Sequence, residues 1–286
     1  MKKIEFSKLN GQGNDFILID ATERSVNLSR NQIIEMCNRN FGIGADGIIL
    51  VKKSKKYDLK MDFYNKDGSI SEMCGNGIRC MAEFAFDKRL ITNSFLEIET
   101  LAGIKKITID VKKGIAGNIQ VNMGKPEFKP SNIPVKIYDD IDEIFNYKIS
   151  VNSKDFYINC VSMGNPHCVI FLDKTEDLDN FPVPEWGPII ENYKIFPNKA
   201  NIEFVKIKDK NNIDMRVWER GAGETLACGT GACAAGVCSV KLKKIKGDRI
   251  TVNLRGGKLN VIWNPTENDV YLEGRVSYKF DGIYFL

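Results

Sequence analysis

Two short stretches of this sequence place a cysteine directly before a Gly-x-Gly turn. Residues 73–80 read MCGNGIRC and residues 227–234 read ACGTGACA. An apolar run follows each turn, so we predict that each cysteine stands at the start of a helix. The unpaired N–H groups of a first helical turn bind anions and lower the pKa of a thiol placed there. Cys74 and Cys228 are therefore predicted to be two activated thiols, each beside a cradle for a carboxylate.

Two such thiols could invert a stereocentre without any cofactor. A thiolate on one face of a carbon acid removes its proton, and a thiol on the other face returns one. The proton on the α-carbon of an amino acid is very weakly acidic, so the negative charge that develops on the carboxylate needs fixed donors. Two helix N-termini aimed at that carboxylate supply them. The pattern predicts an enzyme that moves a proton at such a carbon.

The two turns belong to a longer internal duplication. Cys228 follows Cys74 by 154 positions (228 − 74), and the same offset relates residues 200–205 to residues 46–51. A constant offset over a long stretch is typical of a duplicated structural unit. It makes the pair of cysteine turns a much stronger signal than either turn alone.

The order of strand and helix patterns predicts an α+β fold of two duplicated domains. In each domain a mostly antiparallel, curled sheet or barrel surrounds a central helix that begins at the cysteine. We place the N-terminal domain at 1–124, completed by a returning C-terminal strand at 275–286, and the C-terminal domain at 125–274. Prolines between 125 and 134 predict a linker. The active site is expected in the cleft between the domains, where pockets tend to form.

Local patterns predict individual elements as well. A plausible N-cap and an apolar stripe predict a helix over 29–38, and strict alternation predicts a strand over 59–65. The helix that begins at Cys74 is expected to run to about Lys88. Residues 95–124 are expected to form strands separated by glycine turns.

Composition narrows the class of protein. The 286 residues carry a net charge of +4 with no long basic block, and no apolar run approaches the ~18 residues of a membrane span. We therefore expect a cytoplasmic protein that binds neither nucleic acid nor membrane. The chain has eight cysteines but no C-x-x-C spacing and one histidine, which argues against a metal site. Six cysteines are expected to be small buried hydrophobic residues: Cys37, Cys80, Cys160, Cys168, Cys233 and Cys238.

Seven motifs together resemble those of a known family. They are GNDF, FGIGADG, NxDGS, MCGNGIRC, GNPHCV, NxEFV and WERGAGETxACGTGACA. The chain is similar over nearly its whole length to the diaminopimelate epimerases of the cofactor-independent amino-acid racemase superfamily. The resemblance implies epimerisation of LL-2,6-diaminopimelate to meso-diaminopimelate, which supplies lysine and peptidoglycan precursors. It also implies two-base cysteine catalysis without pyridoxal phosphate or metal, and commonly a homodimer.

The resemblance assigns roles to individual residues. By motif match, Cys74 and Cys228 are the base and the acid, and His167 and Glu219 support catalysis. A larger set is implied in substrate binding: Asn14, Gly47, Asn65, Gly75, Asn76, Asn165, Asn201, Glu219, Arg220, Gly229 and Thr230.

The sequence departs from some family members at two positions. Gly47 stands where some relatives offer a glutamine to the substrate, so the first half is expected to lack a side-chain contact there. Phe280 stands where some relatives have a tyrosine near their dimer contact.

Other functions stay open at this point. A sister racemase acting on proline or hydroxyproline would share the scaffold, but those enzymes typically carry histidine at the asparagine of CGNG. A phenazine-type isomerase is disfavoured by the second cysteine. A dithiol redox protein is disfavoured by the missing C-x-x-C, and two structural cysteines capping helices would need no chemistry at all.

Overall fold

The computed structural model describes residues 3–137 and 141–286, and the chain divides into two compact units. Unit 1 comprises residues 1–122 and 273–286, and unit 2 comprises residues 123–272. The two predicted domains include residues 1–2 and 138–140, which lie outside the described residues. That each unit is an independent domain stays a prediction.

Each unit contains a sheet and two α-helices. The elements of unit 1 are β1 (Lys3–Gly11), β2 (Asn14–Asp20), α1 (Arg30–Cys37), β3 (Gly47–Lys52), β4 (Leu59–Asn65), β5 (Ile70–Ser71), α2 (Gly75–Asp87), β6 (Phe95–Thr100), β7 (Gly103–Lys112), β8 (Ile115–Gly124) and β18 (Ser277–Phe285). The elements of unit 2 are a 3-10 turn (Pro130–Asn132), β9 (Tyr147–Val151), β10 (Lys154–Ser162), β11 (Pro166–Phe171), α3 (Val183–Glu191), β12 (Asn201–Ile207), β13 (Asn212–Glu219), β14 (Gly223–Thr225), α4 (Gly229–Lys241), β15 (Arg249–Leu254), β16 (Gly257–Trp263) and β17 (Val270–Gly274). Strands β8 and β17 each run across a boundary between the units.

The strands of unit 1 are ordered β18-β1-β2-β3-β4-β6-β7-β8, and β5 forms a short hairpin with β4. The pairs β2–β3 and β4–β6 are parallel, and the other pairs are antiparallel. A parallel pair cannot be joined by a tight hairpin and needs a crossover connection. Helix α1 lies in the first crossover and α2 in the second.

Unit 2 repeats this arrangement. Its strands are ordered β9-β10-β11-β12-β13-β15-β16, and the pairs β11–β12 and β13–β15 are parallel. Helices α3 and α4 lie in the two crossovers, and α2 and α4 are each 13 residues long. The predicted α+β class and the duplicated, mostly antiparallel plan are confirmed.

Helices α2 and α4 are enclosed by the strands of their own units. Helix α2 contacts β1, β2, β3 and β7, and every residue from 75 to 85 is buried. Helix α4 contacts β10, β11, β12, β13, β15 and β16. Enclosure on several sides explains why α4 has no single apolar stripe. In α2 the same enclosure also buries three polar residues, Asn76, Arg79 and Glu83. Within the described residues, no helix has the length and apolar character to cross a membrane.

The local predictions agree with the structure in most places. Helix α1 begins at Ser29 with a capping box, in which Ser29 Oγ accepts from Gln32 N and Gln32 Oε1 accepts from Ser29 N. Strand β4 covers residues 59–65 as predicted, and α2 ends at Asp87. The last strand, β18, pairs antiparallel with β1 from Lys3↔Phe285 to Asn10↔Ser277, which confirms the predicted return of the C-terminus.

The predicted linker at 125–134 is wrong. Glu127 N donates to Ser162 O at 3.0 Å, and Ser162 N donates to Glu127 O at 2.8 Å, which ties the segment to β10. Ile133 and Val135 are 1 % and 6 % exposed and belong to the core of unit 2. The prolines set local turns, but burial of the apolar residues between and after them makes this segment part of the unit.

We predict that unfolding of unit 1 depends on pH through Glu83 on α2. Burial, and secondarily the Asp87 carboxylate, raises the pKa of Glu83 from 4.5 to about 7. The folded state then holds a proton that the unfolded state releases, so stability is lost as pH rises from about 4.5 to about 7. Glu83→Gln removes this loss and should be more stable than the parent by about 1–3 kcal/mol at about pH 8.

Urea unfolding at about pH 4 and about pH 8 measures this effect, and the two proteins should be equally stable at the lower pH. Glu267→Gln, which removes an exposed carboxyl, is the control for the loss of a surface charge. A Glu83→Gln difference that is the same at both pH values would contradict the assignment.

Candidate active site

Both cysteines of the Gly-x-Gly turns are the N-cap residues of their helices. Cys74 precedes α2 with φ −135° and ψ 124°, and Cys228 precedes α4 with φ −126° and ψ 118°. The first helical bonds match as well, because Ile78 N donates to Cys74 O and Ala232 N to Cys228 O, each at 2.9 Å. The prediction that each cysteine begins a helix is confirmed.

The eight cysteines differ in how far they are buried. Cys74 is half-buried and Cys228 is 6 % exposed. The six cysteines predicted to be small buried residues are all buried: Cys37, Cys80, Cys160, Cys168, Cys233 and Cys238. Burial raises the pKa of the Cys37 thiol to about 11, which is consistent with a structural role.

In unit 1 the cysteine turn is connected to the start of β2 through Asn76. This side chain is 2 % exposed, and its Nδ2 donates to Asn14 Oδ1 at 2.6 Å. Asn14 Nδ2 in turn lies 3.5 Å from Asp46 Oδ2. Asn14 and Asn76 are two of the residues expected to bind substrate, and the structure brings them together beside Cys74.

A buried arginine that the sequence analysis missed donates hydrogen bonds to residues of this turn. Arg79 is fully buried, and its Nη1 donates to Gly75 O at 2.9 Å. Its Nη2 donates to Asn76 Oδ1 at 2.7 Å and to Gln12 Oε1. The available signal was a charged residue inside an otherwise apolar helical run.

Gly47 and Asn65 face each other across β3 and β4. A Cβ at position 47 would stand 2.5 Å from Phe63 Cε2 and 2.5 Å from Tyr64 O, so the packing of these neighbours excludes a side chain. Gly47 can therefore offer a ligand only its backbone, and a glutamine here would require the strands to shift. Asn65 Nδ2 donates to Ser69 Oγ at 2.9 Å within the turn that follows β4.

In unit 2 a chain of polar contacts leads to Cys228. Its Sγ accepts from Gly231 N at 3.3 Å and lies 3.5 Å from Thr230 Oγ1. Asn165 Nδ2 donates to Thr230 Oγ1 at 3.4 Å. The structure thus gathers Asn165, Thr230 and Cys228, as the resemblance implies.

The expectation that a helix N-terminus tunes the thiol downward is wrong for Cys228. Burial raises its pKa well above the ordinary value, and the carboxylates of Glu219 and Glu203 raise it further. The hydrogen bonds from Thr230 and Gly231 lower it but do not compensate. Desolvation of a thiolate outweighs the donors of the helix terminus in setting the direction of this pKa shift.

His167 is fully buried between two oxygen atoms. Its Nδ1 lies 2.7 Å from Glu203 Oε1, and its Nε2 lies 2.9 Å from Asn165 Oδ1. Glu203 was missed as an individual residue, although it lies within the NxEFV motif. The position of Glu203 in the middle of a central strand is one that apolar residues usually occupy. The sequence gives no sign that its carboxyl contacts His167, and only the fold shows this contact.

Asn201, Glu219 and Arg220 lie together where β12 begins and β13 ends. Asn201 is 4 % exposed, and its amide accepts from Arg220 N at 2.9 Å and donates to Pro166 O at 3.0 Å. Glu219 Oε1 accepts from Thr225 Oγ1 at 2.5 Å. The exposed Arg220 guanidinium donates to a single backbone carbonyl, at Asn198.

The role of each of these residues in catalysis or binding stays a prediction. Within residues 3–137 and 141–286, no group of three or more His, Cys, Asp or Glu side chains is arranged to hold a metal ion. The expectation that no metal or cofactor is needed also stays a prediction.

We predict that Arg79→Met lowers the stability of the protein by about 1–3 kcal/mol, because buried oxygen atoms lose their donors. Arg79→Lys should recover little of this loss, since one ammonium cannot reproduce the geometry of the guanidinium. Urea unfolding measures both variants, and Arg89→Met removes an exposed arginine as the control. Equal effects of Arg79→Met and Arg89→Met would show that the buried contacts are unimportant.

Comparison with known proteins identifies the family. The model of the diaminopimelate epimerase family matches residues 6–129 and 159–279. The diaminopimelate epimerase of Leptospira biflexa serovar Patoc is 46% identical, over 98% of this chain and 98% of its own length.

Solved structures share the fold at low sequence identity. A phenazine biosynthesis protein of the PhzF family from Bacillus anthracis aligns with a TM-score of 0.71 at 18% identity, over 100% of both chains. A hydroxyproline epimerase from Agrobacterium vitis with bound trans-4-hydroxy-L-proline aligns with a TM-score of 0.69 at 11% identity, over 98% of this chain and 92% of that chain. The resemblance seen in the motifs is confirmed, and the chain belongs to the diaminopimelate epimerase family.

Proposed function

We propose that this protein epimerises LL-2,6-diaminopimelate to meso-diaminopimelate, with Cys74 and Cys228 as its acid–base pair and no cofactor. The observation that carries the proposal is the pair of cysteine N-caps at matching positions of two similar units. A relative 46% identical over 98% of the chain bears the name of this activity, which supports the choice of substrate. The reaction supplies precursors of lysine and peptidoglycan.

In the proposed reaction one cysteine acts on each face of the α-carbon. A thiolate takes the α-proton, so a C–H bond breaks and an S–H bond forms. The thiol of the other cysteine then gives its proton to the opposite face, so an S–H bond breaks and a new C–H bond forms. The two sulfurs exchange protonation states. The raised pKa of Cys228 suits the partner that starts as the thiol, that is, the acid toward one of the two stereoisomers.

The electron pair left at the α-carbon spreads into the adjacent carboxylate. The backbone donors of Gly75–Asn76 and Gly229–Thr230 lie in the first turns of α2 and α4, where N–H groups have no partner within the helix. Donors fixed in place before the charge develops stabilise it without reorganisation. This is the role we propose for the two cysteine turns.

The far end of diaminopimelate requires a second set of polar groups. Arg220 suits bidentate capture of the distal carboxylate, and Glu219 suits the distal ammonium. Asn65 and Asn201 present amides that can both donate and accept. A ligand that lacks the distal amino-acid group leaves Arg220 and Glu219 without their charged partners. This loss affects turnover as well as affinity when distal binding is used to orient the reacting carbon.

The test is hydrogen exchange in deuterated water with LL- and meso-diaminopimelate, lysine, glutamate and proline. Deuterium should enter the α-carbon of diaminopimelate only. Arg220→Ala should lower kcat/KM for diaminopimelate by about tenfold or more, since a charged hydrogen-bonding partner is lost. Arg89→Ala, on the exposed surface, is the control.

The outcomes separate the alternatives. Comparable exchange on proline would favour a sister racemase, and no exchange with any ligand would favour a thiol redox protein. An Arg220→Ala variant that matches the parent would contradict the distal-site assignment.

We also propose that the protein is a homodimer in the cytoplasm. Four large apolar side chains of β18 are at least 45 % exposed: Tyr278, Phe280, Ile283 and Phe285. Apolar side chains exposed along an outer strand are typical of an edge that another chain covers. All eight cysteines are thiols, which suits a reducing compartment.

Phe280→Asp should weaken a dimer formed through β18, because it places a charge on the apolar surface. Light scattering over a concentration series should then give a lower mass for this variant than for the parent. Phe41→Asp, at a phenylalanine that is 89 % exposed elsewhere in unit 1, should leave the mass unchanged. A parent that is monomeric at every concentration would refute the dimer.

A further inference from the structure

The unit 2 site contains a buried carboxyl whose function the reaction does not explain. Glu203 on β12 has no exposed surface. Its Oε1 is 2.7 Å from His167 Nδ1, whereas its Oε2 has no hydrogen-bond partner among the described residues. Burial of a carboxyl with one oxygen unsatisfied is costly. Retaining it in the centre of a sheet therefore calls for a specific use.

The cysteine turn is shaped to make room for this carboxyl. Gly231 lies in the first turn of α4, and a Cβ there would stand 2.7 Å from Glu203 Oε1 and 3.3 Å from Cys228 Sγ. Any larger residue at position 231 would displace either the carboxyl or the thiol. Glu203 therefore packs directly against the turn that presents Cys228.

The imidazole of His167 has an oxygen atom at each nitrogen. Nδ1 faces Glu203 Oε1, and Nε2 faces Asn165 Oδ1 at 2.9 Å. The carbonyl oxygen of an asparagine side chain can only accept, so Nε2 must carry a hydrogen. A proton shared between Nδ1 and the Glu203 carboxyl can sit on either partner without changing this.

The direction of donation continues from Asn165 to the cysteine. Because Asn165 Oδ1 accepts from His167, its Nδ2 points to Thr230 Oγ1 at 3.4 Å. The Thr230 hydroxyl accepts that bond with one lone pair, and it can donate its own hydrogen to Cys228 Sγ, 3.5 Å away. A hydrogen bond donated to sulfur favours the thiolate over the thiol.

We propose that Glu203 is a positioning residue that fixes the direction of this chain of hydrogen bonds. By donating a carboxyl proton to Nδ1, or by pairing with a ring that is protonated at both nitrogens, it holds the ring with Nε2–H toward Asn165. The Thr230 hydroxyl is thereby oriented as a donor to Cys228. The inference rests on the proposed role of Cys228 as an acid–base group. It makes His167 a second positioning residue rather than a proton carrier, since a base would need an unprotonated Nε2.

The first test uses the fact that His167 is the only histidine in the chain. Nitrogen-15 spectra of histidine-labelled protein therefore report one imidazole without overlap. Nε2 should carry a hydrogen throughout the pH range in which the protein is folded. A neutral ring with a bare Nε2 would overturn the proposal. This measurement needs no turnover, so its result is independent of whether diaminopimelate is the substrate.

Two substitutions separate charge from orientation. Glu203→Gln and Glu203→Leu both remove the carboxylate, but the glutamine amide can donate an N–H to Nδ1, which keeps the hydrogen of the neutral ring on Nε2. Alkylation of Cys228 by iodoacetamide, followed on its peptide by mass spectrometry, should be about tenfold to a hundredfold slower in the leucine variant than in the glutamine variant. Equal rates would show that the direction of the chain has no effect.

A double-mutant cycle with Thr230→Val completes the test. In proteins that lack the Thr230 hydroxyl, Glu203→Leu should no longer slow the alkylation of Cys228 relative to Glu203→Gln. A difference that persists without Thr230 would contradict the proposed route.

If Glu203→Leu does not fold, the nitrogen-15 spectrum of His167 in the parent and in Glu203→Gln decides alone. A protonated Nε2 in both proteins supports the proposal, and a bare Nε2 in either refutes it. Epimerase activity is measured in parallel, so failure of this inference and failure of the proposed function are distinct results.

Discussion

The arrangement of both units follows from burial of the first turn of a helix. The opening N–H groups of α2 and α4 have no partner within the helix, and in a buried turn they must find one elsewhere. Gly231 N–H donates to the sulfur of the N-cap cysteine itself. Each of these helices lies in the crossover between two parallel strands. The position of the helix is therefore limited, because the crossover must return the chain to a neighbouring strand. A thiol and the N–H groups of a first helical turn therefore occur together in each unit.

The two cysteine turns differ in the charge of the side chains that lie near them. In unit 1 the buried guanidinium of Arg79 binds Gly75 O, next to Cys74. In unit 2 the carboxylates of Glu203 and Glu219 raise the pKa of Cys228. A positive neighbour favours a thiolate and a negative neighbour favours a thiol. Equivalent cysteines of the two units therefore lie near side chains of opposite charge.

The plan of the fold was accessible from sequence where the signal was local or repeated. The N-cap signal before α1, the alternation of β4 and the constant offset between halves each predicted what the structure contains. Helix α3 was not predicted, because Pro184 and Pro188 lie within it. Its existence nevertheless follows from the duplication, since it occupies the crossover that α1 occupies in unit 1. Arg79 and Glu203 were missed because burial of a charge is settled by tertiary contacts, not by local pattern.

The proposed reaction requires that the two cysteines act on opposite faces of one carbon. The most direct measurement follows LL-diaminopimelate through the first turnovers in deuterated water, where thiols exchange with solvent before they donate. Solvent deuterium should appear at the inverted carbon of the meso product, while the remaining LL substrate keeps its protium. Meso product that retains the original protium would mean that one base removes and returns the same proton, and would contradict the account.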